Sequence, residues 1–283
     1  MKKVLSIIIT LLFITNINIL SQNRGGMFHK FGSSVLTANH ITESQYCPEF
    51  QAVYNAFNTK PHADTAAFMN AMVYSLDSAG FWDRMDLLQV YAIHNYTDAL
   101  INWINPGTLT ATLMEGLGSD DFTRWRGFTG DGTGYISTNY APGTHGVNFT
   151  QNDATYGVYV RNTVIESRAV LGIYGSNVYS SLQVGSTENS FTGKINHAYN
   201  DGVFVYNITD AAGFYLVTRT SSTYSAVYKN GSLFGTSNDA SVAIESDPVL
   251  LMLTMGPYNY GITSTEAGII NTIIQRYITS ISN

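Results

Sequence analysis

The stretch YSAVYKNGSLFGTS, from Tyr224 to Ser237, contains two short runs rich in Val, Tyr, Leu and Phe. Asn230-Gly231 stands between the runs, and an Asn-Gly pair in that setting is the strongest short-range indication of a β-hairpin. Both residue types tolerate the positive φ that a two-residue turn of this kind requires. The stretch therefore predicts two antiparallel strands joined by a tight turn.

Similar runs recur through the second part of the chain. They are TYGVYVR at 155–161, RAVLGIY at 168–174, GVFVYNI at 202–208, GFYLVTR at 213–219 and VLLMLTM at 249–255. Turn-forming residues separate them, and no helical stretch lies between successive strands, which favours an antiparallel sandwich over a parallel α/β sheet. VLLMLTM has no alternation and predicts a strand covered on both faces.

Residues 47–106 have the apolar spacing of helices instead of strands. Four short helices are predicted, beginning near Pro48, Asp64, Asp83 and Thr97. Gly80 is expected to end the second helix and Pro106 the fourth. This segment packs either on itself or as a layer on the sandwich.

The last predicted element is an amphipathic helix. Thr263 and Glu266 have the spacing of a capping box, which marks the start of a helix. One broad apolar stripe follows, formed by Ile269, Ile270, Ile273, Ile274, Tyr277, Ile278 and Ile281. The stripe must dock on the sandwich or on the helical segment, because such a surface would aggregate if it were exposed.

The N-terminus has the pattern of a secretory signal peptide. In residues 1–22, two lysines precede an apolar run, and a small residue, Ser21, lies before Gln22. An uncleaved membrane anchor is the alternative, but Asn16 and Asn18 shorten the apolar run. We therefore expect an extracellular or cell-surface protein with a signal peptide (1–22), an extended linker (23–46), a helical segment (47–106) and a sandwich carrying the C-terminal helix (107–283).

Charge and cysteine content narrow the classes of function. Only 12% of the residues are charged, the net charge is −6, and the cations stand singly or in pairs. Nucleic-acid binding is not expected, because it needs a basic stripe. No later stretch predicts a membrane span, and the single Cys47 can form no internal disulfide and has no catalytic signature around it.

The glycine-rich stretch GFTGDGTGYISTNY, at 127–140, is not a phosphate-binding loop. Such a loop needs a lysine and a following helix, and this stretch is followed by strand-like alternation from Tyr135. Asp131 and Asn139 are too few for a calcium loop, which leaves backbone carbonyls as the only route to a calcium site. We predict no cofactor, and we interpret Asp131-Gly132 as a turn before a strand.

No motif for catalysis is present. Glu245 and Asp247 are the closest approach to paired strand carboxylates, but Pro248 follows them and favours a solvated turn. The six histidines lack metal-ligand spacing, and His94 is interpreted as a packed residue. The sequence therefore favours a protein without catalytic activity.

Aromatic residues supply the candidate contacts to a ligand. Tyr258 and Tyr260, in the loop-like stretch GPYNYG, are the candidate ligand-binding residues, with packing as the equal alternative. Trp82 and Trp103 are interpreted as core anchors of the helical segment.

Two stretches carry a resemblance to a family. RGFTGDGTGYISTN resembles the opening of laminin-G-like, concanavalin A-type jelly rolls, and YSAVYKNGSLFGTS resembles their hairpin. With the helical lead-in, the chain from Cys47 to Asn283 is similar to phage virion or tail-associated proteins. The resemblance implies a mainly β jelly-roll sandwich with a binding or structural role and no catalytic residues.

These observations predict an exported or virion-surface protein for adhesion, glycan recognition or assembly. Expected partners are glycans or cell-surface or virion proteins, and an oligomer is compatible with the sequence. A polysaccharide-degrading enzyme and a purely structural oligomer component remain the alternatives. The enzyme would need two carboxylates about 5 to 10 Å apart in a groove.

Overall fold

The structure is a computed structural model that describes residues 5–6, 42–130, 133–161, 168–174, 178–184, 189–251, 255–258 and 263–282. Its strands are β1 (Leu5–Ser6), β2 (Thr112–Met114), β3 (Phe122–Thr123), β4 (Gly127–Gly130), β5 (Tyr135–Ser137), β6 (Ala154–Val160), β7 (Arg168–Tyr174), β8 (Tyr179–Val184), β9 (Phe191–His197), β10 (Val203–Val205), β11 (Gly213–Ser221), β12 (Tyr224–Lys229), β13 (Ser232–Ser237), β14 (Leu250–Leu251) and β15 (Met255–Tyr258). Its α-helices are α1 (Pro48–Ala56), α2 (Ala63–Ser78), α3 (Pro142–His145) and α4 (Ser264–Ser282).

The strands form an antiparallel sandwich. One sheet has seven strands in the order β10-β9-β8-β7-β14-β5-β2, and the other has five in the order β13-β12-β11-β6-β15. A third, small sheet joins β1, β4 and β3. The predicted mainly β, antiparallel architecture is confirmed.

Side chains and backbone groups join the two large sheets. A Cβ at Gly193 on β9 would lie 2.6 Å from Val227 on β12, so the sheets are in close contact there. Tyr156 Oη donates to Ser181 O at 3.0 Å, and Arg219 Nε donates to Ile195 O at 2.9 Å. The interface between the sheets is therefore apolar packing with a few buried polar bridges.

The predicted hairpin at Asn230-Gly231 is confirmed. Asn230 has φ 51° and Gly231 φ 79°, and they connect β12 to β13. A Cβ at Gly231 would lie 3.1 Å from the backbone of Gly268 on α4. Glycine at this turn therefore provides both the left-handed backbone and room for the last helix.

The segment VLLMLTM contributes to both sheets. Leu250–Leu251 pairs with β5 on one side and β7 on the other, within the seven-stranded sheet. Met255 already pairs with Gly157 in the five-stranded sheet. The glycine-rich stretch at 127–140 leads into a strand as predicted, since β5 starts at Tyr135. Its predicted turn, Asp131-Gly132, lies outside the described residues.

Only two of the four helices predicted between residues 47 and 106 are α-helical. The predictions beginning at Asp83 and Thr97 are wrong: the chain forms short 3-10 helices at Trp82–Arg84 and Asp98–Leu100, and Gln89 pairs with Asn102 in an isolated bridge. Nearly every residue from Met85 to Ile93 is buried, so no solvated face exists for an amphipathic helix. Trp82 and Trp103 are buried, as predicted.

The last helix docks on the helical segment and on the sandwich. Its capping box is confirmed, because Thr263 N–H donates to Glu266 Oε2 at 2.9 Å and Glu266 N–H donates to Thr263 Oγ1 at 3.3 Å. Arg84 Nη1 donates to Glu266 Oε1 at 2.8 Å. Helix α4 packs against α2 and β13, and Tyr277 Oη donates to Ala92 O at 3.0 Å.

The helical segment and the sandwich share one hydrophobic core, which includes Phe50, Val73, Phe214 and Ile274. The N-terminal region before Thr42 is described only at Leu5–Ser6, which pairs with Thr129 and Gly130, so the predicted signal peptide and linker stay predictions. Among the described residues, no helix combines the length and the hydropathy that a bilayer-spanning helix needs.

Candidate functional site

Three large aromatic side chains are exposed within one short stretch of the chain. Tyr199 is 66% exposed, Tyr206 63% and Phe204 43%. Tyr199 lies in the turn between β9 and β10, Phe204 lies on β10, and Tyr206 directly follows β10. Together with Lys194 and Tyr179 we call them the aromatic surface.

The strand register directs Phe204 outward. Phe204 pairs with Thr192 on β9, and its neighbours Val203 and Val205 face β13, where a Cβ at Gly235 would lie within 2.9 Å of both valines. Successive side chains of a strand point to opposite faces, so Phe204 turns away from the interior.

Lys194 forms the base of the aromatic surface. Its Nζ lies 5.3 Å from the ring centroid of Tyr179, 5.5 Å from that of Tyr199 and 5.8 Å from that of Phe204. The rings of Tyr179 and Tyr199 are 5.2 Å apart in an edge-to-face arrangement. Nζ also donates to the backbone carbonyl of Tyr199. One ammonium group therefore holds three rings and the turn together through cation–π contacts and a hydrogen bond.

Burial lowers the pKa of Lys194, and the nearby Asp201 carboxylate opposes this effect. The residue as a whole is only 8% exposed, although it stands on the outer side of the sheet. Its ammonium is covered by the rings and engaged by a carbonyl, so its role is to support the surface rather than to contact a ligand.

The turn that carries Tyr199 is seated on the stem of Lys194. Gly202 has φ 136°, and a Cβ there would lie 2.9 Å from Lys194 Cγ. The Gly202 N–H donates to Asp239 Oδ2 at 3.0 Å, and Ser237 Oγ donates to the same oxygen at 2.5 Å. These hydrogen bonds to the charged form lower the pKa of Asp239, so a carboxylate anchors the turn.

A Ser–His pair lies buried in the sandwich interior. His197 and Ser225 are both fully buried, with His197 Nε2 3.2 Å from Ser225 Oγ. The Ile195 N–H donates to His197 Nδ1 at 2.9 Å, so Nδ1 carries no proton and Nε2 does. Burial, with the nearby Arg219 guanidinium, lowers the pKa of His197 to about 3. A neutral imidazole that donates to the serine has no free nitrogen with which to take its proton.

The two tyrosines predicted as ligand contacts are placed elsewhere or not described. Tyr258 ends β15, at the edge of the five-stranded sheet, where it pairs with Thr155. The Tyr258 side chain and the whole of Tyr260 lie outside the described residues. Their role as ligand contacts stays a prediction, and the aromatic surface belongs to the other sheet.

The remaining candidate residues have structural surroundings. Asp247 is exposed in a segment without regular structure, and Glu245 lies in the same segment, as the following proline predicted. His94 is not on a helix, yet it is packed as expected, with its ring 5.4 Å from that of Phe57. Burial raises the pKa of Cys47 to about 11, which makes it an unreactive thiol.

The described residues contain no group of three His, Cys, Asp or Glu side chains able to hold a metal ion. Asn139, one of the two residues considered for calcium, donates through Nδ2 to Thr110 O at 2.7 Å and Thr112 Oγ1 at 2.9 Å. Its amide is used to fix the loop next to β5.

The sequence interpretation found β10 within GVFVYNI but missed β8 and β9, the other two strands that carry the aromatic surface. The strand sequences YSSLQV of β8 and FTGKINH of β9 are rich in Ser, Thr, Gly and Lys and lack the Val- and Tyr-rich character of the other strands. A usable indication was the stretch HAYNDGVFVY at 197–206, a Gly-containing turn flanked by aromatic residues. Lys194 has no such indication, because its partners come together only in the folded sheet.

Comparisons with known proteins find structural likeness alone. No family model matches the chain, and no curated protein matches its sequence, so the laminin-G and phage resemblance stays a prediction. The binding domain of botulinum neurotoxin serotype D is similar over 68% of this chain and 51% of its own, with 10% identity and a TM-score of 0.48. The corresponding domain of neurotoxin DC, in complex with SialylT, has 14% identity and a TM-score of 0.44 over 67% of this chain and 51% of its own.

A third solved structure is domain 4 of AbnA, a GH43 extracellular arabinanase from Geobacillus stearothermophilus, in complex with arabinotriose. It is similar over 65% of this chain and 98% of its own, with 13% identity and a TM-score of 0.43. The chain spans about half the length of the toxin domains that it matches. At these scores the likeness carries no argument about function, which must come from the site itself.

Proposed function

We propose that this protein is a non-enzymatic carbohydrate-binding protein and that the aromatic surface is its binding site. The observation that carries the proposal is the exposure of Tyr199, Phe204 and Tyr206 beside one another along the chain. Leaving three large rings in water is unfavourable, and clustered exposed apolar groups mark interaction sites.

Sugar rings fit such a surface chemically. The C–H face of a pyranose is apolar and packs on the face of a tyrosine or phenylalanine ring, while its rim of hydroxyl groups stays wet. Tyrosine combines an apolar ring with a polar hydroxyl, which suits an interface that is partly apolar and partly hydrated. Asp201, which is half-buried in the same turn, adds a hydrogen-bond acceptor for sugar hydroxyls.

The surface is also built before any ligand arrives. Lys194 contacts three of its rings, and Asp239 anchors the turn through the Gly202 N–H. A rigid aromatic surface loses little side-chain entropy on binding, so more of the contact free energy appears as affinity.

The electrostatics support binding rather than hydrolysis. A glycosidase needs a carboxylic acid whose pKa is raised, so that it can protonate the leaving group. The pKa of Asp239, the carboxylate that anchors this turn, is shifted in the opposite direction. The Ser–His pair is buried and wrongly polarised for nucleophilic attack.

We place this function outside the cell, in adhesion to a glycan-bearing surface or in a virion particle. The signal-like N-terminus and the low content of charged residues support an exported protein. Tyr258 and Tyr260 remain proposed as additional contacts.

A glycan array followed by titration tests the proposal. We expect Tyr199→Ala and Tyr206→Ala each to weaken binding of the best glycan by about fivefold, since one stacking contact contributes about 1 kcal/mol. Tyr74→Ala is the matched control, because Tyr74 is 58% exposed on helix α2, away from the aromatic surface.

Two results would contradict the proposal. One is equal weakening by Tyr74→Ala, which would show that the aromatic surface is not the site. The other is release of reducing ends from a polysaccharide panel, which would show an enzyme.

A further inference from the structure

The hairpin between β3 and β4 has a basic and aromatic tip, formed by Arg124, Trp125 and Arg126. Both arginines are exposed and the tryptophan is half-buried. The Arg126 N–H donates to Thr123 O at 2.8 Å, which closes a four-residue turn. We refer to these three residues as the hairpin tip.

Trp125 occupies the third position of this turn with φ 62°. Glycine or asparagine normally fills a turn position with positive φ, because a bulky side chain is strained there. The Trp125 N–H donates to Ile93 O at 2.9 Å, so the neighbouring segment holds the strained conformation in place. Strain that the surrounding structure maintains occurs preferentially at ligand sites.

Within the part of the chain that the structure describes, no ion pair involves Arg124 or Arg126. Arg84 forms an ion pair with Glu266, whereas the contacts of His62 with Asp64 and of His94 with Asp98 are ionic only when the histidine is protonated. The Arg124 guanidinium carbon lies 5.0 Å from the Trp125 ring centroid, which fixes its position at the surface. The nearest acid along the chain, Asp121, accepts the Gly118 N–H at 2.9 Å.

Two exposed guanidinium groups in one turn fit an oxyanion. Each presents N–H donors in a planar fork that matches a carboxylate or a sulfate. We propose that the hairpin tip binds the carboxylate or sulfate groups of an acidic polysaccharide, with the exposed part of Trp125 against the adjoining sugar ring. This site does not depend on the aromatic surface.

The two sites stand on different elements, since Trp125 of the hairpin tip contacts Ile93 and His94, whereas the aromatic surface stands on β8, β9 and the β10 region. Strand β5, which follows the hairpin, is five strand positions from β10 in the seven-stranded sheet. Strands β5 and β10 are therefore about 24 Å apart along the sheet, at a strand spacing of about 4.8 Å. A single polysaccharide chain of sufficient length could contact both sites, which would add avidity.

Other anionic partners fit the tip less well. Nucleic acid requires a basic surface that contacts many phosphates, and this chain has 14 cations in total and a net charge of −6. Trp125 is packed against His94, with ring centroids 6.0 Å apart, so it is not free to insert into an anionic membrane. The acidic groups of a polysaccharide at the tip interact mainly with protein charges nearby, because salt screens charges that are more than about 8 to 10 Å away.

Titration of dextran sulfate, polygalacturonate and neutral dextran against the full chain tests the proposal. We expect the two acidic polymers to bind at low ionic strength and dextran not to bind at this site. The double variant Arg124→Gln/Arg126→Gln should lose about tenfold or more in affinity and show a smaller dependence on salt. Its glycan binding at the aromatic surface should not change.

A matched control separates the tip from net charge. Ala52 and Ala71 are exposed on α1 and α2, and Ala52→Glu/Ala71→Glu lowers the net charge by the same two units. We expect this variant to retain most of the affinity for the acidic polymers. The proposal is overturned if the control loses as much as the tip variant, if neither acidic polymer binds the wild type, or if the protein binds only phosphatidylglycerol vesicles. If the wild type binds the acidic polymers but no glycan through the aromatic surface, the proposed function alone is overturned.

Discussion

His197 donates its Nε2 proton to Ser225 Oγ across 3.2 Å inside the sandwich, because the Ile195 N–H already occupies Nδ1. The pair resembles a catalytic dyad in composition but has the opposite polarity. Arg219 lies beside it, fully buried, and donates to the backbone carbonyls of Ile195, Ser221, Ser222 and Asp239. The cluster therefore joins strands from both sheets, and its charge balance depends on a neutral imidazole.

Acid is expected to destabilise the fold through His197. Its folded-state pKa of about 3 lies below the unfolded value of 6.5, so its contribution is complete above pH 6.5 and is lost as the pH falls toward 3. Arg219 and Lys194 raise the cost of protonation and Asp239 lowers it. The loss should approach about 1.4 kcal/mol per pH unit over that window. Urea unfolding of wild type and His197→Gln between neutral and acidic pH measures it, and parallel pH profiles for the two proteins would contradict the assignment.

Replacing Lys194 should loosen the aromatic surface. Lys194→Met keeps an apolar stem but removes the ammonium that contacts three rings and the Tyr199 carbonyl. We expect about two- to thirtyfold weaker glycan binding, since a cation–π contact contributes about 0.5 to 2 kcal/mol, and faster amide exchange in the turn. Hydrogen exchange combined with titration checks both effects. Lys194→Arg should restore the binding in part, and a Met variant with unchanged exchange would refute the supporting role.

A side chain at Gly202 should disrupt the same turn. Gly202→Ala would place a Cβ 2.9 Å from Lys194 Cγ, on a residue with φ 136°. We expect a loss of about 1 to 3 kcal/mol in the free energy of unfolding, together with weaker glycan binding. Gly268→Ala is the control, because its Cβ would meet nothing within 4 Å on helix α4. That change should stabilise by about 0.5 to 1 kcal/mol, and chemical denaturation that ranks the two variants the other way would contradict the structure.

Asp86 should be a strong determinant of stability. Its Oδ2 accepts the Tyr140 hydroxyl at 2.8 Å and the backbone N–H groups of Val147 and Phe149, both at 3.2 Å, while Asn148 donates to both of its oxygens. Burial, followed by the Asp86 carboxylate, raises the pKa of Tyr140, so the phenol stays a donor. Asp86→Asn replaces one acceptor oxygen with a donor, and we expect a loss of about 2 to 4 kcal/mol.

Asp83→Asn provides the comparison for Asp86 in the same unfolding experiment. Asp83 is exposed in a short 3-10 helix and caps no α-helix. Its replacement should change the free energy of unfolding by less than about 0.5 kcal/mol. Equal losses for the two variants would show that the loop is not held by Asp86.

The local sequence pattern correctly predicted those elements that depend on residues close to one another along the chain. The Asn230-Gly231 turn, the Val- and Tyr-rich strands and the capping box of α4 follow from rules that involve neighbours along the chain. Two helical predictions failed where the chain is almost wholly buried, from Met85 to Ile93 and from Asp98 to Trp103. Burial on every side removes the amphipathic contrast on which a helical interpretation depends, so packing decided the conformation.

The sequence by itself determined an antiparallel β-sandwich with helices at its N- and C-terminal flanks, because turn chemistry and apolar periodicity act over a few residues. Only the tertiary structure decided where a ligand surface exists. Lys194, Tyr179 and Phe204 come from three strands, and their contact depends on strand register and on a glycine that admits the turn. Register depends on which face of a strand is buried against the opposite sheet, and no single stretch of sequence reveals this.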